Sequence, residues 1–206
     1  MADSEERILP ICDVSGSMTC NYGGGSLTPM DISVSLGLYV SERNKSIFKD
    51  AFITFSESPK MQYLKGTIVQ RMDQLERADW GMNTNLNKAF GLILARAVEE
   101  KLSPDEMPTC LLIISDMEFD NCANLTNYEK ILENYECSGY EIPKIVFWNV
   151  HGRAGNVPVS AKQKNVGLVS GATPAVIKGV LSGKTFTPVD IMLETLNDEA
   201  YAEVKI

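Results

Sequence analysis

The chain of 206 residues has one histidine, His151, and five cysteines, Cys12, Cys20, Cys110, Cys122 and Cys137, with no C-x-x-C pair among them. A single imidazole excludes multi-histidine zinc sites and long proton relays, so a bound metal has to be held mainly by oxygen. An odd and sparse cysteine count speaks against a disulfide framework and for a reducing compartment with free thiols. Cys20 and Cys122 fall in loops expected on one face, where a disulfide or a second metal is the alternative. No apolar run approaches the length of a membrane span. The opening Met-Ala-Asp-Ser-Glu-Glu-Arg is too charged for a signal peptide, so an intracellular, cytoplasmic protein with no membrane partner is expected. Positive charge is short as well, with 19 Lys+Arg against 27 Asp+Glu and a net charge of −8. The electrostatic footprint of a nucleic-acid or anionic-membrane binder is therefore missing, and cations or basic partners fit better.

What is present is an ordinary globular composition, 44% hydrophobic and 22% charged. The length suits one domain, taken as 8–206 after a short tail over 1–7. Four near-continuous apolar runs, Ile8–Cys12, Ala51–Phe55, Thr109–Ile114 and Lys144–Val150, read as strands buried on both faces, which implies a parallel sheet covered by helices. Met61–Leu64 reads as an added antiparallel edge strand and Gly167–Ser170 as a short further strand. Leu86–Leu102 carries the clearest helical period, through Leu86, Phe90, Ile93, Leu94 and Ala97, and Ser103-Pro104 stops it. Thr67–Ala78, Tyr128–Tyr135, Pro174–Leu181 and the segment from Pro188 onward read as helices too.

One segment gives two opposing signals. Ile32-Ser33-Val34-Ser35-Leu36-Gly37-Leu38 alternates like a strand, yet Thr28-Pro29-Met30-Asp31 before it is a helix start, with a capping hydroxyl, proline at the first position and an early acid. We expect a helix, with Ser33 and Gly37 forming a small face that lies close to the sheet. The predicted fold is α/β, a Rossmann-like open, mostly parallel sheet with one antiparallel edge strand and helices on both faces.

In such a sheet ligands bind beyond the carboxyl ends of the strands. The first strand runs into Asp13-Val14-Ser15-Gly16-Ser17, the third buried run ends in Ser115-Asp116, and Gly81-Met82-Asn83-Thr84 precedes the clearest helix. These residues resemble the metal-ion-dependent adhesion site (MIDAS) of von Willebrand factor A (vWA) domains. That resemblance implies one divalent cation, Mg²⁺ or Mn²⁺, with Ser15, Ser17 and Thr84 binding through hydroxyls and Asp13 and Asp116 holding coordinated waters. Asn83 departs from the pattern, since small residues are more usual there. Asn83, Glu118, Asp120, Asn149 and His151 are candidates for the site rim. For Glu118 and Asp120 the alternative is a solvated surface acid, and for Asn149 and His151 a hydrogen-bonding role. Trp80 either contacts a partner or packs.

The choice of residues has a physical reason. A small hard cation takes six oxygens at about 2.0–2.1 Å and keeps several waters. If neutral hydroxyls make the direct contacts, the ion stays electron-poor and seeks an acidic oxygen from outside, so the expected partner is a protein with an exposed Asp or Glu. Two carboxylates would offset the ion, taking the loaded domain from −8 to −6.

The segments Ser115-Asp116-Met117-Glu118-Phe119-Asp120, Val146-Phe147-Trp148-Asn149, Leu168-Val169-Ser170-Gly171 and Pro188-Val189-Asp190-Ile191-Met192-Leu193-Glu194 resemble the C-terminal domain of a poorly characterised family of plants, bacteria and large viruses. Its members carry a helical region before a vWA-like domain, an organisation similar to the Ro ribonucleoprotein. By that resemblance the sequence is either a stand-alone form or a piece holding this domain, and a helical N-terminal region is attached in relatives. The expected function is a non-catalytic, cation-dependent protein-interaction module. A Mg²⁺-dependent phosphohydrolase using Asp13 is the enzymatic alternative, although Ser15 stands where such phosphatases need a second acid. A component of a Ro-like RNA-associated complex is the third, with no direct nucleic-acid contact by this acidic domain.

Overall fold

Ile8-Leu9-Pro10-Ile11-Cys12 contains no charged side chain, and the computed structural model buries all five residues as β1. The structure describes residues 7–20, 26–79, 81, 85–116, 128–151 and 166–171. Five further strands follow: β2 (Ala51–Thr54), β3 (Met61–Tyr63), β4 (Cys110–Ser115), β5 (Lys144–Asn149) and β6 (Val166–Ser170). The helices are α1 (Pro29–Arg43), α2 (Ile68–Glu76), α3 (Leu86–Glu100) and α4 (Tyr128–Cys137). The strands build one sheet of order β3-β2-β1-β4-β5-β6, parallel throughout except for β3, which runs antiparallel to β2 with Ala51 opposite Tyr63. The helices expected over 174–181 and from Pro188 onward lie outside the described residues.

Side-chain parity along each strand divides the core into two layers. Leu9, Ile11, Ile53, Leu111, Ile113, Ile145 and Phe147 pack with Leu86, Phe90, Ile93 and Ala97 of α3 and Ile131 and Tyr135 of α4. Ile8, Cys12, Phe52, Leu112, Ile114, Val146 and Trp148 face the other way, toward Val34, Leu36, Leu38 and Val40 of α1 and Leu75 of α2. Helices therefore cover both faces, as the unbroken apolar runs require. Pro10 sits in a central strand without an amide proton to donate. It is tolerated because β1 pairs with β4 from Ile8 to Cys12, whereas its pairing with β2 starts at Ile11.

The alternating segment is helical. Thr28 caps α1 through a reciprocal box, in which Thr28 N–H and Oγ1–H each donate to Asp31 Oδ2 at 2.7 Å and Asp31 N–H donates to Thr28 Oγ1 at 3.1 Å. Ser33 and Gly37 do form the close face: both are buried, and a methyl group at Gly37 would overlap Cys12 Sγ. The cap starts the helix and the small residues let it lie on β1, so period alone misleads here.

Two outcomes follow from this packing. Gly37→Ala gains up to about 1 kcal/mol of helix propensity but forces a shift of buried Cys12, a kind of overpacking that costs about 1–3 kcal/mol. The substitution should lower stability in urea unfolding of the parent and raise it in a Cys12→Ala background. Hydrogen bonds from Thr28 hold the Asp31 carboxyl below its ordinary value of 3.8. Its contribution is thus present above that value and is lost as pH falls through the lower folded value. The stability gap between the parent and Asp31→Asn should close in acid unfolding below pH 3.8.

Candidate metal centre

The chain leaves β1 for β2 on one side and leaves β4 for β5 on the other, so connections diverge between β1 and β4. In open α/β sheets that divergence opens a crevice at the carboxyl edge, where ligands bind. Asp13 and Asp116, the residues directly after β1 and β4, lie on its two sides. Asp13 is still held by the ladder, its N–H donating to the Ile114 carbonyl at 2.9 Å.

Only 3% of Asp13 is accessible, and its carboxylate is gripped from two directions. Ser15 N–H donates to Oδ1 at 2.9 Å, closing a turn over its own backbone. Ser115 Oγ–H donates to Oδ2 at 2.7 Å. Burial pushes the Asp13 carboxyl up, the bonds from Ser115 and Ser15 pull it partly back, and the Asp116 charge adds to the rise. A positive charge placed at this edge would relieve both the buried charge and the repulsion between the two acids.

The serines after Asp13 are set by a single 3₁₀ turn over Gly16–Thr19. Met18 N–H donates to the Ser15 carbonyl at 3.1 Å, and the fully buried Met18 side chain pins the turn into the α1 layer. Ser15 Oγ and Ser17 Oγ are thereby held 3.1 Å apart, both half-buried. Adjacent ligands of an octahedral ion with bonds of about 2.1 Å stand about 3.0 Å apart, so the pair already has the spacing of two neighbouring ligand positions. Among the described residues no group of three or more histidine, cysteine or carboxylate side chains is placed to hold a metal. The described donor set is two hydroxyls backed by two carboxylates, which suits a hard cation and not zinc.

The second loop is bracketed by described residues. Gly81 N–H donates to the Phe55 carbonyl at 2.9 Å and Asn85 N–H to the Ser56 carbonyl at 3.2 Å, so both flanks meet the segment just after β2, the neighbour of β1. Asn85 then caps α3 by accepting from Lys88 N–H at 3.0 Å. Thr84 and Asn83 themselves lie outside the described residues, as do Glu118, Asp120, Trp80 and Cys122.

Asn149 and His151 reach the same carboxyl edge, one strand beyond Asp116. Asn149 ends β5 opposite Ser115, is buried, and accepts from His151 N–H through Oδ1 at 3.0 Å. Its carbonyl also accepts from Gly171 N–H at 2.9 Å, tying the β5 and β6 ends together. Cys12, Cys20, Cys110 and Cys137 are free thiols. Sequence reasoning names Ser115 only as the neighbour of Asp116 and gives it no role of its own. The expected run Thr109–Ile114 is shifted by one residue to Cys110–Ser115, which places this serine inside the sheet. The available signal is a lone hydroxyl ending an apolar strand.

A family model described as "Domain of unknown function (DUF7788)" matches residues 7–205. The chain belongs to this family. The DUF7788 domain is 29% identical over 196 residues to "Uncharacterized protein L728" of Acanthamoeba polyphaga mimivirus, covering 92% of this chain and 33% of that protein. It also matches the crystal structure of the Deinococcus radiodurans Ro (RSR) protein, with a TM-score of 0.62 and 18% identity over 88% of this chain and 35% of that one. The chain therefore spans about a third of the length of these two proteins. At that identity the second likeness speaks for the fold, which is α/β, Rossmann-like and of vWA type. No helix among the described residues is long and apolar enough to cross a membrane.

In the DUF7788 domain without added metal, Asp13→Asn should unfold no more easily than the parent. The amide keeps an acceptor for Ser15 N–H, offers a donor to Ser115 Oγ, and removes the buried charge. Asp13→Ala strands both partners and should cost about 1–3 kcal/mol. Chemical denaturation of the three proteins in chelator measures the order.

Proposed function

We propose that this domain is a non-catalytic protein-interaction module that recognises a partner's Asp or Glu through one Mg²⁺ or Mn²⁺ ion. The observation that supports it best is the Ser15–Ser17 hydroxyl pair, 3.1 Å apart, in front of buried Asp13 at the strand-order divergence. Ser15 and Ser17, with Thr84 from the second loop, would offer neutral oxygens. Asp13 and Asp116 would supply the compensating charge from behind. An ion so held supplies a Lewis-acidic position open to one more oxygen. The hydroxyls leave its charge largely uncancelled, so a carboxylate from outside is the preferred visitor.

The net charge of −8 shapes the selectivity. An acidic surface repels anionic polymers at long range, so an acidic partner gains only from the local bridge at the ion. Direct RNA binding by this domain does not fit that field, and any nucleic-acid contact would belong to other parts of a longer protein, such as an attached helical region. Both Asp13 oxygens already accept hydrogen bonds, which favours a supporting role over that of a nucleophile. Free thiols are consistent with action inside the cell.

Mg²⁺ or Mn²⁺ should raise the melting temperature relative to chelator, since a ligand at 100 times its dissociation constant contributes about 2.7 kcal/mol. Ser17→Ala and Asp13→Asn should each remove most of that shift. In Mg²⁺ the domain should retain peptides bearing an exposed Asp or Glu and release them in chelator. No ion-dependent shift overturns the reading. Turnover of a generic phosphomonoester in Mg²⁺ that is lost in Asp13→Asn would put the phosphohydrolase in its place.

A further inference from the structure

Ser115 is the one hydroxyl in an otherwise apolar strand, and it is completely buried. Its Oγ–H donates to Asp13 Oδ2 at 2.7 Å across a sequence separation of 102 residues. Bonds of this kind to an ionised acceptor are roughly twice as strong as neutral ones. Neither end of the bond is free to travel. The Ser115 carbonyl accepts from Val150 N–H at 3.0 Å, locking the serine to the start of the loop after β5. Asp13 N–H is locked to Ile114, the residue before Ser115. A movement of Oδ2 away from β4 breaks its bond to Ser115.

We infer that Ser115 is a positioning residue that sets the ion preference of this site, by tethering Asp13 Oδ2 and keeping the carboxylate out of direct coordination. The inference rests on the cation-binding reading above and extends it. A carboxylate has about four acceptor positions, and the Ser115 hydroxyl with the N–H and hydroxyl of Ser15 draws on three. The rest can receive a hydrogen from a hydrated ion while the carbon–oxygen framework stays still. Mg²⁺ tolerates this arrangement because it keeps its waters, whereas Ca²⁺ takes 6–8 oxygens at about 2.3–2.6 Å and gains from a mobile, directly bound carboxylate. A tethered Asp13 therefore favours the smaller ion and leaves its charge available to an outside acid. Released, the same carboxylate would reach the ion, suit Ca²⁺ and compete with that visitor.

The test compares the parent, Ser115→Ala and Ser115→Thr by calorimetric titration with Mg²⁺ and Ca²⁺, after each variant's folding is checked by its melt in chelator. Partners behind metal ligands carry about 10–100-fold in affinity, so Ser115→Ala should shift the ratio of Ca²⁺ to Mg²⁺ dissociation constants by about tenfold toward Ca²⁺. Ser115→Thr, which keeps the hydroxyl, should restore the parent's ratio. With Mn²⁺ as probe, water-proton relaxation should show that the bound ion loses about one exchangeable water in Ser115→Ala, as the carboxylate enters its shell. If Ser115→Ala fails to fold, Ser115→Cys, a weaker donor of similar size, should move both readouts in the same direction by less. Equal weakening of both ions with unchanged hydration overturns the assignment and leaves Ser115 a packing residue. A parent that binds neither ion overturns the cation-site reading along with it.

Discussion

Everything at the carboxyl edge hangs on the pairing of β1 with β4. Five consecutive registers, from Ile8 opposite Cys110 to Cys12 opposite Ile114, run between two wholly buried strands. Register in a doubly buried sheet is strongly specified, because a slip of one residue turns every side chain to the opposite layer. Here it would move Leu9 and Ile11 from the α3 layer to the α1 layer and carry Asp13 away from Ser115. The apolar core thus positions a polar pair, and the Asp13–Ser115 bond is a by-product of hydrophobic alignment.

That alignment explains how an acidic domain keeps two carboxylates nearly out of water. An unpaired buried charge is costly, and the structure answers with donors: a backbone N–H and a buried hydroxyl for Asp13. The donors restrain the carboxylate more than they neutralise it, so burial still raises its proton affinity. A cation at this edge would relieve that tension, which is what the proposed function draws on. The half-buried serines in front provide oxygens without adding charge.

Much of this was legible in the residues. Unbroken apolar runs specify strands covered on both sides, since no polar position is left to face water, and β1, β2, β4 and β5 follow directly. Thr28 and Asp31 reveal α1 through cap chemistry although its alternation argues for a strand. Gly37 explains the conflict, because its lack of a side chain serves contact with Cys12 and not helical period. Asp13, Ser15, Ser17 and Asp116 could be picked out because they follow strand ends within short, polar strings. The expectations for Thr84, Asn83, Glu118 and Asp120 concern residues beyond those the structure describes.

The contact of Ser115 with Asp13 was not legible, and the reason is physical. A hydroxyl at the end of an apolar run reads equally well as a turn residue, and nothing local says which way it points or what lies opposite. Among the described residues, sequence alone determined the element types, the parallel character of the sheet and the set of strand ends that carry chemistry, because those depend on periodicity and composition within short windows. Only the tertiary structure decided the strand order, the divergence between β1 and β4, and the meeting of Ser115 with Asp13. Those depend on contacts between segments about a hundred residues apart, which no local pattern encodes.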